Sequence, residues 1–303
     1  ATFVQQSSLT GEPDGQIAVI ESDEAALPEI LRLVQPRLLV LNNLFRDQLD
    51  RYGELDTVGQ KWKAAFAKLP PTTRLIVDVD DPTLANITGD LAAPRTTFGL
   101  TAPEHKLAAL PHAADAAICR KCGADLSYTE LYLGHLGDWV CMSCGVARPK
   151  LDVVGSDIRL DAMASLTMTV ASEQQMLQDV TVQVPGIYNA YNVTAAVATG
   201  FALNIPSATI RKALGQFQSP FGRAERVNFD GREISIALVK NPVGFNEVLR
   251  TITGGGSELA APTLIVINDE FADGRDVSWL WDVDFEMLAS GKLPIATAGI
   301  RGP

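Results

Sequence analysis

Short apolar runs alternate with stretches of helical spacing through most of the chain. Residues 16–20 (Gln-Ile-Ala-Val-Ile), 37–41 (Arg-Leu-Leu-Val-Leu) and 74–78 (Arg-Leu-Ile-Val-Asp) are near-continuous apolar runs, the pattern of strands buried on both faces. Between them, apolar positions recur at three- and four-residue spacing over 25–34 and 58–69, which predicts helices. Strands separated by such helices predict parallel βαβ units. In sheets of that kind ligands gather at the carboxyl ends of the strands, which here carry Glu21, Asp23, Asn42, Asn43, Asp80 and Asp81. Periodicity is lost over 101–117, an Ala- and Pro-containing stretch that reads as a linker. Residues 151–185 are β-like, with alternation at 166–170 and 180–184, and helical spacing returns over 189–203 and 207–217. After Phe221-Gly222-Arg223 the strand–helix alternation resumes, with strands at 234–239 and 264–267 around a helix at 243–253. A last apolar run covers 294–300.

Composition narrows the function classes. The 303 residues carry a net charge of −11, which argues against a protein that binds nucleic acid by neutralising phosphates. No apolar run reaches the roughly 18 residues needed to cross a bilayer. No basic segment followed by an apolar stretch opens the chain, so no secretory signal is visible. The chain opens at Ala1 on what reads as the end of a helix and stops at Pro303 just after an apolar run, so it is expected to be a fragment.

All four cysteines fall in Cys119-Arg-Lys-Cys122 and Cys141-Met-Ser-Cys144, with 18 residues between the pairs. This is the spacing of a four-thiolate zinc site, and Gly123 and Gly145 follow the two pairs. Two redox pairs or disulfides are the competing reading, and nothing points to an oxidising compartment. Four thiolates fill a tetrahedral shell, so the metal is expected to be structural. Tyr128, Tyr132 and Trp139 in the spacer can pack a small ribbon over 118–150. With every cysteine so used, and with His105 and His112 in the linker and His135 in the ribbon, a Cys-His or Ser-His pair within the chain is not expected.

Several motifs read together resemble the Mur ligases, ATP-dependent enzymes of peptidoglycan synthesis. They are residues 18–24 (Ala-Val-Ile-Glu-Ser-Asp-Glu), the run Asn43-Leu-Phe-Arg-Asp-Gln-Leu-Asp-Arg-Tyr-Gly-Glu54, and Asp80-Asp81-Pro82. After the cysteine pairs come Gly186-Ile-Tyr-Asn189-Ala-Tyr-Asn192, Gly222-Arg223-Ala-Glu225, Lys240-Asn241-Pro242 and residues 272–282 (Ala-Asp-Gly-Arg-Asp-Val-Ser-Trp-Leu-Trp-Asp). The 43–54 run, the four-Cys ribbon and the 273–282 run, in this order, carry most of the specificity.

The resemblance implies an α/β fold. A Mur ligase central domain, a parallel sheet with flanking helices, would cover about 1–220 with the ribbon inserted, and a Rossmann-like C-terminal domain would cover about 221–303. It implies that Glu21 holds Mg²⁺ bridging ATP phosphates, that Asn189 and Asn192 face the nucleotide from one helix face, and that Arg223 reaches phosphate across the domain junction. Structural alternatives stand beside each: a helix-end contact for Glu21, capping for the two asparagines, and an ion pair with Glu225 for Arg223. Gln48 stands where the amino-acid-adding members usually carry a magnesium-associated His. Lys240 and Asn241 stand at the interdomain cleft of the family pattern. Asp78 replaces the usual Asn of the Asn-Ala-Asp-Asp-Pro motif. No G-x-x-x-x-G-K-[ST] phosphate loop occurs in the chain; in the family it lies upstream of the stretch matched by Ala1.

The activity so implied is cytoplasmic and ATP-dependent. The D-glutamate α-carboxyl of the lipid II stem, at the inner membrane face, would be activated as an acyl phosphate and attacked by ammonia to give D-isoglutamine. Ammonia would come from a GatD-like glutamine amidotransferase subunit. The resemblance makes Asp276 the third member of that partner's Cys-His triad, with Asp273 and Asp282 structural; Asp276 as a helix cap is the competing reading. Trp279 and Trp281 beside it are large aromatics of the kind that anchor interfaces. Two other functions remain open. One is a Mur-type or folylpolyglutamate-type amino-acid ligase; the other is a zinc-ribbon binding protein without catalysis.

Overall fold

The computed structural model describes residues 15, 17–46, 55–112, 114–218, 223–254, 261–269, 276–288 and 293–301. Six strands form the main sheet: β1 (Leu38–Leu41), β2 (Arg74–Asp78), β3 (Arg95–Thr101), β6 (Val153–Asp161), β7 (Ser165–Ser172) and β8 (Met176–Val182), adjacent in that order. β1, β2, β3 and β6 run parallel, in registers such as Leu39 with Leu75 and Phe98 with Val153. β7 and β8 then add antiparallel, so the sheet is mixed rather than purely parallel. β4 (Ser127–Leu133) and β5 (Leu136–Val140) form a separate hairpin inside the 118–150 module.

The period-2 geometry of strands sorts the apolar residues between two cores. On β2, Ile76 faces a core shared with α4 (Ile187–Ala202), Phe98, Leu100 and Met168. Leu75 and Val77 face the opposite side, against Trp62 and Phe66 of α2 (Leu55–Phe66) and Leu84 of α3 (Pro82–Thr88). α1 (Leu27–Leu33) lies against α2, and α5 (Ser207–Gln216) against β8. The start of α3 is set locally. Pro82 occupies its first turn, and the Asp81 carboxylate accepts from the Thr83 and Leu84 amides at 2.7 and 3.1 Å.

Three expectations need correcting. The apolar run 16–20 is no strand among the described residues. Residues 17–20 have no regular secondary structure, with Val19 94% exposed. An apolar run becomes a strand only when a neighbouring backbone takes its N–H and C=O groups. Periodicity also missed β3, whose Arg-Thr-Thr start and Gly99 dilute the apolar signal. Finally, the strand, helix and strand expected at 234–239, 243–253 and 264–267 are present, but the first strand pairs antiparallel with the segment before it. β9 (Arg223–Phe229) and β10 (Arg232–Ala237) form an antiparallel hairpin, turned by Asp230 and Gly231 at φ of 50° and 74°.

The C-terminal unit is built on α6 (Pro242–Thr253), with β11 (Thr263–Val266) parallel to β12 (Ile295–Ala298). Asn241 caps α6 by accepting from the Gly244 amide at 2.7 Å, and Gly254 closes it at a φ of 61°. Phe245 and Leu249 of α6 pack on Val283 and Leu288. The opposite face of α6 docks on the first unit. Val243 enters the main core, and Arg250 donates to the Tyr132 carbonyl at 2.9 Å and the His105 carbonyl at 3.4 Å. Glu247 is buried, accepts from the Ile187 amide at 3.4 Å and pairs with Arg250 at 3.0 Å.

Gly99 is the tightest point of the sheet. A Cβ there would stand 2.2 Å from Asp80 Oδ1. A Gly99→Ala protein is therefore expected to lose about 1–3 kcal/mol of stability, the usual cost of forcing atoms into a packed interior. Urea unfolding checks this; an unchanged midpoint would mean that the Asp80 side chain moves aside freely.

Candidate functional site

The carboxyl ends of β1 and β2 and the first turns of α4 meet at one edge of the sheet. There a chain of three amides forms. Asn42, just after β1, donates from Nδ2 to Asn192 Oδ1 at 3.5 Å. Asn192 donates to Asn189 Oδ1 at 3.1 Å, and Asn189 donates to the Pro185 carbonyl at 2.6 Å. The three-residue spacing places Asn189 and Asn192 on one face of α4, as the sequence predicts, with Asn192 exposed. Asn42 joins them only through the fold, 150 residues away.

The other expected site residues are placed less closely. Glu21 is exposed on the irregular segment 17–23, and among the described residues no hydrogen bond joins it to Asn189 or Asn192. Arg223 opens β9, paired with Ala237; its side chain lies outside the described residues, as do Gln48 and Asp273. Asn241 serves as the cap of α6, so its side-chain oxygen is occupied.

Beneath the amide chain lies a buried acidic knot that the spacing of residues did not reveal. Asp78, Asp80 and Asp81 are all fully buried. Asp80 accepts from Arg148 Nη1 at 2.8 Å, from the Leu100 amide at 2.9 Å and from the Tyr191 hydroxyl at 2.8 Å. Three donors aimed at one carboxyl favour its ionised form. Burial pushes Asp80 up to about 6 against these donors, and it stays ionised at neutral pH. Asp78 has the opposite environment. Burial first, then the Asp80 and Asp81 charges, push it well above the ordinary carboxylate range. Its Oδ1 accepts from the Asp80 amide at 3.0 Å, and its Oδ2 has no hydrogen-bond partner among the described residues. Asp78 is thus driven toward its protonated form, a near-isostere of the Asn it replaces in the family pattern.

Asp81 ties this knot to the ribbon. Its Oδ2 accepts from the Leu44 amide at 2.8 Å and faces His135 Nε2 at 3.5 Å. His135 sits at the tip of the β4–β5 hairpin, fully buried and 4.6 Å from the Phe45 ring centroid. Its Nδ1 accepts from the Asp115 amide at 3.3 Å. Trp139 of β5 donates to the Val79 carbonyl at 3.0 Å, and Tyr132, Leu133 and Leu136 enter the main core. The ribbon is therefore packed against the strand ends, not hung from them.

At its far end the ribbon holds the four cysteines. The Cys119–Cys144 and Cys122–Cys141 sulfurs are 3.7 and 3.5 Å apart, and all four lie within 4.8 Å of one another. A tetrahedral Zn²⁺ with Zn–S near 2.3 Å sets sulfur–sulfur edges of about 3.8 Å. The cluster has the size of such a shell. Gly123 and Gly145 follow the pairs at φ of 78° and 72°, and their amides close each turn onto the Cys119 and Cys141 carbonyls at 2.9 Å. The Cys144 amide foremost, with the Ser143 amide and the Cys122 and Cys144 thiols, outweighs burial and lowers the Cys141 thiol to about 6, which favours the thiolate a metal needs.

In the C-terminal unit, Asp276 is exposed and accepts from the Ser278 amide at 2.9 Å, just before the 3₁₀ turn Ser278–Asp282. Hydrogen bonds from the Ser278 side chain and backbone hold its carboxyl below the ordinary range, so it is ionised. Trp279 packs toward Phe245, whereas Trp281 is 91% exposed.

Comparison with known proteins agrees with this architecture. Residues 238–302 match the family described as "MurT ligase C-terminal". The chain is 33% identical over 294 residues to the MurT subunit of the glutamine-hydrolysing lipid II isoglutaminyl synthase of Streptococcus pneumoniae, covering 97% of the chain and 63% of that protein. To the same subunit of Staphylococcus aureus it is 30% identical over 305 residues, covering 99% of the chain and 65% of the relative. The chain thus spans just under two thirds of the length of these relatives. Among solved structures, a pseudomurein peptide ligase type C from Methanothermus fervidus matches with a TM-score of 0.66 at 22% identity, over 89% of this chain and 54% of that one. MurF from Acinetobacter baumannii matches with a TM-score of 0.59 at 19% identity, over 90% and 49%. These two show the fold.

The upward shift of Asp78 makes a pH-dependent prediction. The folded chain keeps this proton at pH values where an unfolded Asp, near 3.9, has lost it. The native state then binds more protons, so Asp78 erodes stability as pH rises from about 4 toward its folded pKa. Asn cannot titrate. The stability of Asp78→Asn relative to the parent is expected to increase as pH rises above about 4 in urea titrations. Parallel pH profiles would show that Asp78 is ionised in the folded chain.

Proposed function

We propose that the chain belongs to the Mur ligase family and forms the ATP-dependent half of a two-subunit enzyme that amidates the D-glutamate α-carboxyl of the lipid II stem. The observation that carries the reading is similarity over nearly the whole chain to two subunits of that named activity. The site chemistry supports it. All four cysteines of these 303 residues lie in the metal-binding cluster, so none is left here to hydrolyse glutamine, and a separate glutaminase subunit would supply ammonia.

In this reading residues 1–220 form the nucleotide-binding domain with the 118–150 ribbon inserted, and 221–303 form the C-terminal domain. ATP and Mg²⁺ supply the phosphoryl group and its charge neutralisation, so that the carboxyl becomes an acyl phosphate that ammonia can attack. The chain's part is positioning. Asn189 and Asn192 present amides to the nucleotide from one helix face, with Asn42 holding the outer one in place. Glu21 is the Mg²⁺ carboxylate, and the Arg223 guanidinium meets phosphate, to which its planar fork is suited. The cysteine cluster holds one structural Zn²⁺ and keeps the ribbon braced against Asp81.

Asp276 is assigned to the partner's active site, orienting and charging the glutaminase His. Its engagement with Ser278 does not oppose this. The bonds from Ser278 hold the carboxylate ionised, while exposure leaves it able to accept from an imidazole. Trp281 beside it is the anchor for that partner, whose chemistry is a glutaminase surface that buries an indole.

Two measurements test the reading, both on the full-length protein with its glutaminase. Asp276→Asn is expected to lower glutamine-dependent amidation about 100-fold or more, with ammonium-driven amidation retained. Glu21→Ala is expected to abolish both while glutamine hydrolysis continues. If Asp276→Asn hydrolyses glutamine normally, Asp276 is only a cap. Separately, elemental analysis is expected to find about one zinc per chain, lost together with the fold of the ribbon in Cys119→Ser. A Cys119→Ser protein that keeps metal and stability would remove zinc from the account.

A further inference from the structure

Loop 42–46 leaves β1 and is held at several points by carboxylates and amides. Asn42 touches Asn192. The Leu44 amide donates to Asp81 Oδ2 at 2.8 Å. The Arg46 amide donates to Asp115 Oδ2 at 2.9 Å, and Arg46 Nε pairs with Asp115 Oδ1. One hold lies outside the first unit: Arg46 Nη2 is 3.1 Å from Asp282 Oδ2. A single guanidinium thus bridges Asp115, buried in the first unit, and Asp282, the last residue of the turn that follows Asp276. Two residues on, Asp284 exchanges two hydrogen bonds of 2.8 Å with Asn246 of α6 and lies 3.5 Å from His112.

We propose that Arg46 is a positioning residue that couples the nucleotide cleft to the placement of Asp276, through its bridge to Asp282. The inference rests on the function proposed above and goes beyond it, because nothing in that reading requires the two centres to communicate. The two ends of the bridge are unequal. Asp115 is almost fully buried and holds both the backbone and the side chain of Arg46, whereas Asp282 is about one third exposed and holds one nitrogen. When a ligand at Asn42, Asn189 and Asn192 shifts loop 42–46, Arg46 turns about the Asp115 carboxylate that anchors it, and the turn of the guanidinium is passed to Asp282 and the short turn behind Asp276. A partly exposed ion pair of this kind contributes little to folding. Its value is geometric, and a guanidinium fork is the group that can hold two carboxylates in fixed relation.

The test uses the full-length protein with its glutaminase and reads glutamine hydrolysed per amide formed. Asp282→Asn, nearly isosteric and partly exposed, is expected to keep thermal stability, and ammonium-driven amidation within about two-fold of the parent. Glutamine consumed per amide is expected to rise several-fold, and stimulation of glutamine hydrolysis by ATP and acceptor to be lost. Arg46→Lys, which keeps the charge but not the fork, is expected to repeat the change in ratio. A merely structural bridge would lower stability and all rates together and leave the ratio alone. The parent's ratio in both variants overturns the coupling. If the parent complex itself forms no amide from glutamine or from ammonium, the function reading fails, and the coupling falls with it.

Discussion

The structure turns on one buried carboxylate. Asp80 stands at the end of β2 and is reached by Leu100 from β3, Tyr191 from α4 and Arg148 from the chain leaving the ribbon. Its own carbonyl accepts from Gly137 of β5 at 3.2 Å. Four parts of the fold therefore converge on one residue. Taking a carboxylate out of water costs several kcal/mol, and the cost is offset only when every donor is in place. That condition fixes the angle of α4 across the sheet, and with it the positions of Asn189 and Asn192. It also explains why Gly99 has no side chain: the space is filled by Asp80.

The same knot accounts for the unusual Asp78. Burial and the neighbouring Asp80 and Asp81 charges disfavour a third ionised carboxyl in the same dry site. Arg148 reaches Asp80 rather than Asp78, and Asp78 is the one driven toward its protonated form. What reads as a change of chemical type in the motif is, in the folded state, a change of one atom.

The ribbon is a strut whose two ends do different things. At one end the cysteine cluster closes the two tight turns. At the other, His135, Trp139 and Tyr132 press on the loops at the strand ends. Tyr132 also receives α6 through Arg250, so the first unit, the ribbon and the C-terminal unit share a joint there. Arg46 makes a second joint with Asp282. The C-terminal unit is thus held to the first by the buried contacts of α6, through Val243, Glu247 and Arg250, and by the partly exposed Arg46–Asp282 pair.

The pattern of residues determined much of this. The strand 74–78, the helices 207–217 and 243–253, and the cysteine pairs are legible because each depends on neighbours in sequence: periodicity, a Pro or Gly at an end, and ligand spacing within a turn. The pairing of Asn189 with Asn192 is legible for the same reason, since three residues make most of one helical turn. What the chain alone did not decide are the relations between distant segments. Whether residues 16–20 pair in a sheet depends on another backbone, not on their own apolar content. That the β-like stretch 151–185 joins the sheet in mixed orientation depends on which edge it meets. Arg148 with Asp80, 68 residues apart, and Asn42 with Asn192, 150 apart, leave no trace in spacing. A carboxylate's protonation is also a property of the donors and charges that packing brings to it. Only the folded chain could raise Asp78 so far above its neighbour Asp80 and make Arg46 a bridge.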